Sequence, residues 1–263
     1  QYHIFDRVSF GQGTNAGHYV VESREGQWAG TRDDPDNLGV QMRYGAAAFA
    51  QTPADSLHNL RAETVAALAH CGVDVVAHGH GPDAAGHVRI ALAGADLLTA
   101  ADRLVRAKHI ARHAAARHGK VASFMPQPLL GERGSGLPMC LRLEKAGKAV
   151  FSWGGDGSEP DEATRAAMAG LARHAGAVLA LTNPTSNSYR RLAAERACRA
   201  MRSPADAAGL GSAAGDGLVL AWPDGLGNPY LALAAVILAA VDGLQNEAKA
   251  AKSAQECSLE DVP

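Results

Sequence analysis

Apolar residues recur at helical spacing in several long stretches and alternate with polar ones in shorter runs. Leu57, Leu60, Thr64, Val65 and Leu68 follow Pro53, which suits a first helical turn, and predict a helix ending at Gly72. Leu97, Leu104, Val105 and Ile110 predict a second helix over residues 96–117, stopped at Gly119. Further helices are expected over residues 161–181 and 229–247. Tyr2-His3-Ile4-Phe5, His18 to Val21, Val73 to His78, His87 to Leu92, Val121 to Met125 and Leu218 to Trp222 read as strands. A hairpin is expected around Glu144-Lys145-Ala146-Gly147-Lys148, where glycine tolerates the positive φ of a tight turn. Residues 203–217, rich in Ala, Gly and Ser, read as a mobile loop.

Composition narrows the class. The chain has 263 residues, 47% hydrophobic and 20% charged, with 25 Lys and Arg against 27 Asp and Glu. That balance supplies no excess positive charge for a nucleic acid or an anionic membrane, so neither is expected as a partner. No apolar run reaches membrane-spanning length; Tyr230 to Val241 reads as a buried helix. Cys71, Cys140, Cys198 and Cys257 form no CxxC pair, which points to a reducing, cytoplasmic setting. Arg103, Arg106, Lys108, Arg112 and Arg117 make the second helix basic and read as a solvated face.

Several motifs, in collinear order, resemble one family. They are Phe124-Met125-Pro126-Gln127-Pro128, Gly131-Glu132-Arg133-Gly134-Ser135-Gly136 and Thr182-Asn183-Pro184-Thr185-Ser186-Asn187-Ser188-Tyr189-Arg190-Arg191-Leu192. Pro223-Asp224 with Asn228-Pro229-Tyr230-Leu231-Ala232 follows, and Glu25-Gly26-Gln27-Trp28 and Pro53-Ala54-Asp55-Ser56-Leu57 precede. These are similar to the FMPKP, GxNGSG, TNPTxNSYKRL, PDxxxNPYLA, EGAWN and PPVDS segments of the glutamine synthetase catalytic domain. The resemblance implies an α+β fold in which an antiparallel sheet is covered by helices, spanning residues 1–248 and followed by a polar, frayed tail over 249–263. It also places the family's N-terminal β-grasp domain outside the chain.

The resemblance implies a reaction in which ATP phosphorylates the side-chain carboxylate of glutamate and ammonia displaces the phosphate. Divalent cations, Mg or Mn, held by carboxylates and a histidine would stabilise the phosphoryl oxygens if activity is retained. Set against the family's motifs, however, the ligand positions are replaced. A metal glutamate falls on Gln1, two more on Gly81 and Arg89, and the ligand histidine on Pro138. A further glutamate falls on Val219 and an arginine on Ala221. Arg89 carries a permanent positive charge that would repel a cation. What persists of the substrate-binding pattern is Arg191, Gly134 and Asn187.

The implied reading is a degenerate homologue, a pseudoenzyme of the ligase family with no cofactor, acting in binding, assembly or regulation. Its partners would be a second copy of itself, an active glutamine synthetase paralogue, or a small amino-acid-like ligand. Two alternatives stay open. One is an active ATP-dependent carboxylate–amine ligase with an altered substrate or metal site. The other is a new zinc-type site at His78, His80 and His87, with Asp83 in the same loop, because histidines at i and i+2 of a strand share a face.

Overall fold

The computed structural model describes residues 1–31, 42, 47–82, 85–153, 159–195, 201–202 and 216–246. The chain divides into two units, Gln1–Ser135 and Gly136–Pro263. The loop expected over 203–217 falls outside the described residues for all but its last two positions, and the tail over 249–263 lies outside them entirely.

Along the first unit run β1 (Tyr2–Phe5), β2 (Arg7–Gln12), β3 (Gly17–Glu22), α1 (His58–His70), β4 (Val75–His80), β5 (His87–Leu92), α2 (Leu97–Arg117) and β6 (Val121–Ser123). Four strands form an antiparallel sheet in the order β4-β5-β1-β6. β1 and β5 are its inner strands, which is why Tyr2 to Phe5 are all buried. One face packs Tyr2, Ile4 and Val88 against Leu57, Leu60, Ala111 and Phe124, so α1 and α2 cover that side. The opposite face carries His3, His87 and Arg89, because strand residues two apart share a face. β2 and β3 pair separately in a hairpin running from Arg7↔Glu22 to Gln12↔Gly17.

α2 matches its sequence signals closely. Asp96 caps it by accepting the Thr99 N–H at 3.1 Å, and Gly119 follows its end with φ 66°. α1 starts five residues later than Pro53 suggests. Asp55 explains the delay: its Oδ1 accepts the Leu57 N–H at 3.1 Å, and its two oxygens take Arg61 Nη1 and Nη2 at 2.9 and 2.5 Å. This buried pair folds residues 55–57 into a turn ahead of the helix. Burial alone would raise the Asp55 pKa; Arg61 outweighs it and holds the carboxyl below its ordinary value.

The second unit contains β7 (Met139–Leu141), β8 (Glu144–Lys145), β9 (Lys148–Ala149), α3 (Glu162–Arg173), α4 (Ala175–Thr182), α5 (Ser186–Glu195), β10 (Met201–Arg202), β11 (Leu218–Leu220) and α6 (Pro229–Gln245). The expected hairpin is present as β8 and β9, with positive φ at both Ala146 and Gly147. Leu141 belongs to a three-stranded antiparallel sheet, β10-β11-β7. The helix expected over 161–181 is broken at His174, whose φ of −99° leaves the helical range. Its Nε2 sits 3.0 Å from Asp242, which Arg173 also reaches at 3.0 Å, so the break is anchored to α6. Helices α3 and α6 approach closely at Gly170 and Gly243: a Cβ on Gly170 would lie 2.6 Å from the Gly243 Cα. The core gathers Phe151, Leu171, Val178, Leu192, Leu218, Leu220, Trp222 and Val236. Among the described residues no helix is long and apolar enough to cross a membrane.

Candidate functional site

Histidines and one glutamate organise the β4-β5-β1 part of the sheet on both faces: His80, paired with Val88, lies with Glu25 on the side of α1, whereas His3 and His87 lie on the other. Glu25, nearly fully buried, is saturated by donors from three segments. Its Oε1 accepts the Ser56 N–H at 3.0 Å and the Ser56 hydroxyl at 2.7 Å; its Oε2 accepts the Gly86 N–H at 3.1 Å and lies 2.9 Å from His80 Nε2. The other ring nitrogen of His80 is 2.8 Å from the Gly81 carbonyl, so both nitrogens face acceptors and the charged imidazolium is favoured. Burial opposes that charge, yet the Glu25 hydrogen bond and charge outweigh it and raise the His80 pKa. Glu25 is therefore a clamp between the start of α1 and the β4–β5 connection. Glu63, another upstream carboxylate, pairs with His118 at 2.7 Å and Arg117 at 3.3 Å.

His3 and His87 sit directly opposite each other on β1 and β5, their rings stacked at 4.7 Å and 8°. Both are fully buried. His3 Nδ1 is 2.8 Å from the Ser135 hydroxyl, whereas neither ring nitrogen of His87 has a hydrogen-bond partner among the described residues. Burial drives both towards the neutral form: the His3 pKa falls to about 3 and that of His87 well below its ordinary value.

This stack governs Gly81, one of the positions where the family motif has a metal glutamate. A Cβ there would meet the His87 ring at 2.2 Å, with the His87 Cβ at 2.8 Å. The root of the side chain is in the way, so no rotamer of His87 relieves the contact. Gly81→Ala is expected to destabilise the protein by about 1–3 kcal/mol through overpacking, and His87→Ala in the same chain, which clears the ring but keeps the Cβ at 2.8 Å, is expected to remove part of that penalty. Urea denaturation of the two single variants and the double variant measures the coupling; strictly additive losses would show that the ring is not the obstacle.

Arg89, at another family glutamate position, is half-buried on β5 opposite Gly79. Burial and, after it, the charge of Arg133 lower its pKa. Gln1 is half-buried at the head of the chain. The histidines named from the sequence do not form a metal centre. His78 is exposed near His58, with ring centroids 6.5 Å apart, and His80 is committed to Glu25 while His87 stacks on His3. Among the described residues no three His, Cys, Asp or Glu side chains gather closely enough to hold a metal ion. Asp83 lies outside the described residues.

In the second unit the retained motif residues hold the framework. Thr185 caps α5, its hydroxyl oxygen accepting the Ser188 N–H at 3.2 Å and lying 2.8 Å from the Ser188 hydroxyl. Arg191, one turn further on and 1% exposed, donates from Nη2 to the carbonyls of Trp222 and, at 3.4 Å, Pro223. The Asn183 amide donates to the same Trp222 carbonyl at 2.8 Å and accepts from the Thr182 hydroxyl at 2.8 Å. Gly136 passes so near that a Cβ would lie 3.0 Å from Arg191 Nη1. Asn228 caps α6 with Pro229 at its start. Of the other substrate-binding candidates, Asn187 is half-buried in the first turn of α5, and Gly134, which belongs to the first unit, is buried.

The replaced positions of this unit are apolar. Val219 is buried in β11 opposite Cys140, and Pro138 and Ala221 are half-buried. Together with Gln1, Gly81 and Arg89 of the first unit, these side chains offer no carboxylate or imidazole, so the residues present do not fit Mg or Mn. Sequence reasoning missed the His3–His87 stack and the Glu25 clamp. A histidine inside the otherwise apolar run Tyr2-His3-Ile4-Phe5 was the available signal for the first.

Residues 1–260 match the glutamine synthetase catalytic domain family, and the chain belongs to that family. Among its relatives, the glutamine synthetase of Nostoc sp. is 33% identical over 261 residues, covering 94% of this chain and 54% of that protein. The Salmonella typhimurium glutamine synthetase is 30% identical over 276 residues, covering all of this chain and 58% of its own length. The chain thus spans about half the length of the curated relatives it matches. In fold it is similar to Plasmodium falciparum glutamine synthetase, with a TM-score of 0.80 over 93% of this chain and 50% of that one at 24% identity. A ligand-free GmaS structure gives 0.66 over 82% of this chain and 50% of its own at 28% identity.

Proposed function

We propose that this chain is a glutamine synthetase homologue that has left metal-supported glutamate–ammonia ligation and acts as a pseudoenzyme in binding, assembly or regulation. The observation that carries this reading is the His87 ring, which fills the space a side chain at Gly81 would need. Two facts support it. Arg89 puts a fixed positive charge where the family motif has a cation ligand. The retained residues Asn183, Arg191 and Asn228 serve caps and carbonyls of the framework, a role that survives without catalysis. The exposed thiols of Cys71 and Cys140 suit a reducing, cytoplasmic setting. A second copy of the chain, an active paralogue and a small amino-acid-like ligand are the partners this reading admits.

The test is phosphate release from ATP with glutamate and ammonia present, with Mg²⁺, with Mn²⁺ and with neither. The expected rate is that of the protein-free control in all three. Glutamate-dependent release in either metal would overturn the proposal and make the chain an active carboxylate–amine ligase with an altered site.

A further inference from the structure

We infer that the face of the first unit bearing Arg89 and Arg133 is an oxyanion site, which takes a phosphate or carboxylate group directly on two guanidinium groups with no bridging metal. It rests on the reading that this chain has left metal-borne chemistry, and it names what that same face would bind instead.

Three observations place Arg89 and the segment that carries Arg133 on the same sheet face. Arg89 follows His87 by two positions on β5, so both project from the sheet face opposite α1 and α2. His87 stacks on His3, and His3 Nδ1 lies 2.8 Å from the Ser135 hydroxyl, which ties the segment ending at Ser135 to this same face. Arg133 is two residues before Ser135. Its loop is held from inside: Gln127 Nε2 donates to the carbonyls of Leu129 at 2.7 Å and Glu132 at 2.6 Å, and the Ser135 N–H donates to the Pro126 carbonyl at 2.8 Å. The loop therefore presents Arg133 from a fixed backbone.

The charges then need an answer. Among the described residues the side chains of Arg89 and Arg133 have no hydrogen bond or ion pair, although Arg89 is half-buried. Burial and, after it, the charge of Arg133 lower the Arg89 pKa, in keeping with two positive charges on this face. A half-buried guanidinium without an anionic partner loses solvation that an anion would replace, and planar forks bind phosphate and carboxylate oxygens through paired N–H donors. The surroundings suit such a ligand. His3 and His87 are held neutral and add no charge, and Gly79, opposite Arg89, leaves nothing within 4 Å of where a side chain would begin. Both arginines stand at motif positions where the family has Glu and Asn, so the change adds positive charge at two neighbouring places.

The experiment is isothermal titration of the whole chain, stripped of metal on a chelating resin and held in a buffer free of phosphate and carboxylate, with inorganic phosphate in one arm and L-glutamate in the other. At least one anion is expected to bind, and the arm that does so identifies the phosphate or the carboxylate as its source. Arg89→Gln and Arg133→Ala are each expected to weaken that binding by at least about tenfold, the usual loss for a charge-assisted hydrogen bond. Arg133 is exposed on a loop, so its variant tests the site even if Arg89→Gln fails to fold. Absence of binding in both arms, or unchanged affinity in Arg133→Ala, would overturn the inference. Metal-dependent ligase turnover would instead sink the functional proposal and leave this titration to stand on its own.

Discussion

Arg191→Ala is expected to lower stability by about 3 kcal/mol, the upper range for removing a buried cation that satisfies main-chain acceptors. The reasoning starts at α5, which carries the guanidinium into the interior beneath residues 222–223. There it donates to the carbonyls of Trp222 and Pro223, in the segment that follows β11. Without it, among the described residues, the Pro223 carbonyl keeps the Leu137 N–H at 2.6 Å and the Trp222 carbonyl keeps the Asn183 amide. A cavity the size of the lost side chain adds its own penalty. In a thermal melt the loss corresponds to roughly 6–12 °C. Arg191→Lys should recover less than half of it, because an ammonium cannot reproduce the planar fork. A melt unchanged by Arg191→Ala would show that the residue is not part of the framework and would return it to the list of ligand-binding groups.

The second large effect is on acid stability. In the unfolded chain the imidazoles of His3 and His87 titrate near their ordinary 6.5, whereas in the fold His3 does so at about 3 and His87 well below its usual value. Between those limits the unfolded chain binds more protons than the folded one, so falling pH favours unfolding. Their contribution is complete above about pH 6.5 and is lost as pH drops towards 3, at up to about 1.4 kcal/mol per pH unit for each ring. His80 has the opposite sign: its folded pKa is raised, so its contribution is present below 6.5 and lost as pH climbs through the folded value. Urea midpoints measured from pH 7 to pH 4 should therefore fall steeply on the acid side. His87→Leu should reduce that slope by about half; an unchanged slope would mean that the stacked pair does not govern acid sensitivity.

The reach of the sequence can be read from particular residues. α2 was legible from end to end because Asp96 and Gly119 fix its limits locally, and α6 because Asn228-Pro229 is a self-sufficient start signal. The start of α1 was not, since the delay depends on Asp55 meeting Arg61 in a buried ion pair whose strength no local pattern reveals. The break at His174 escaped for a similar reason: its anchor, Asp242, lies 68 residues away. The replaced ligand positions could be read by resemblance alone. What replaced them could not, because the His3–His87 stack joins residues far apart in the chain through the β1–β5 pairing.

The close approach of Gly81 to His87 also bears on descent. A chain that regained a glutamate at position 81 by a single substitution would meet the imidazole before it met any cation, and selection would see only the damage. Position 87 would have to change first, at a time when that change brings no catalytic reward and breaks the stack with His3. If, as proposed, this chain has left the chemistry of its relatives, the two residues together act as a ratchet that would hold it there even if every other ligand were restored.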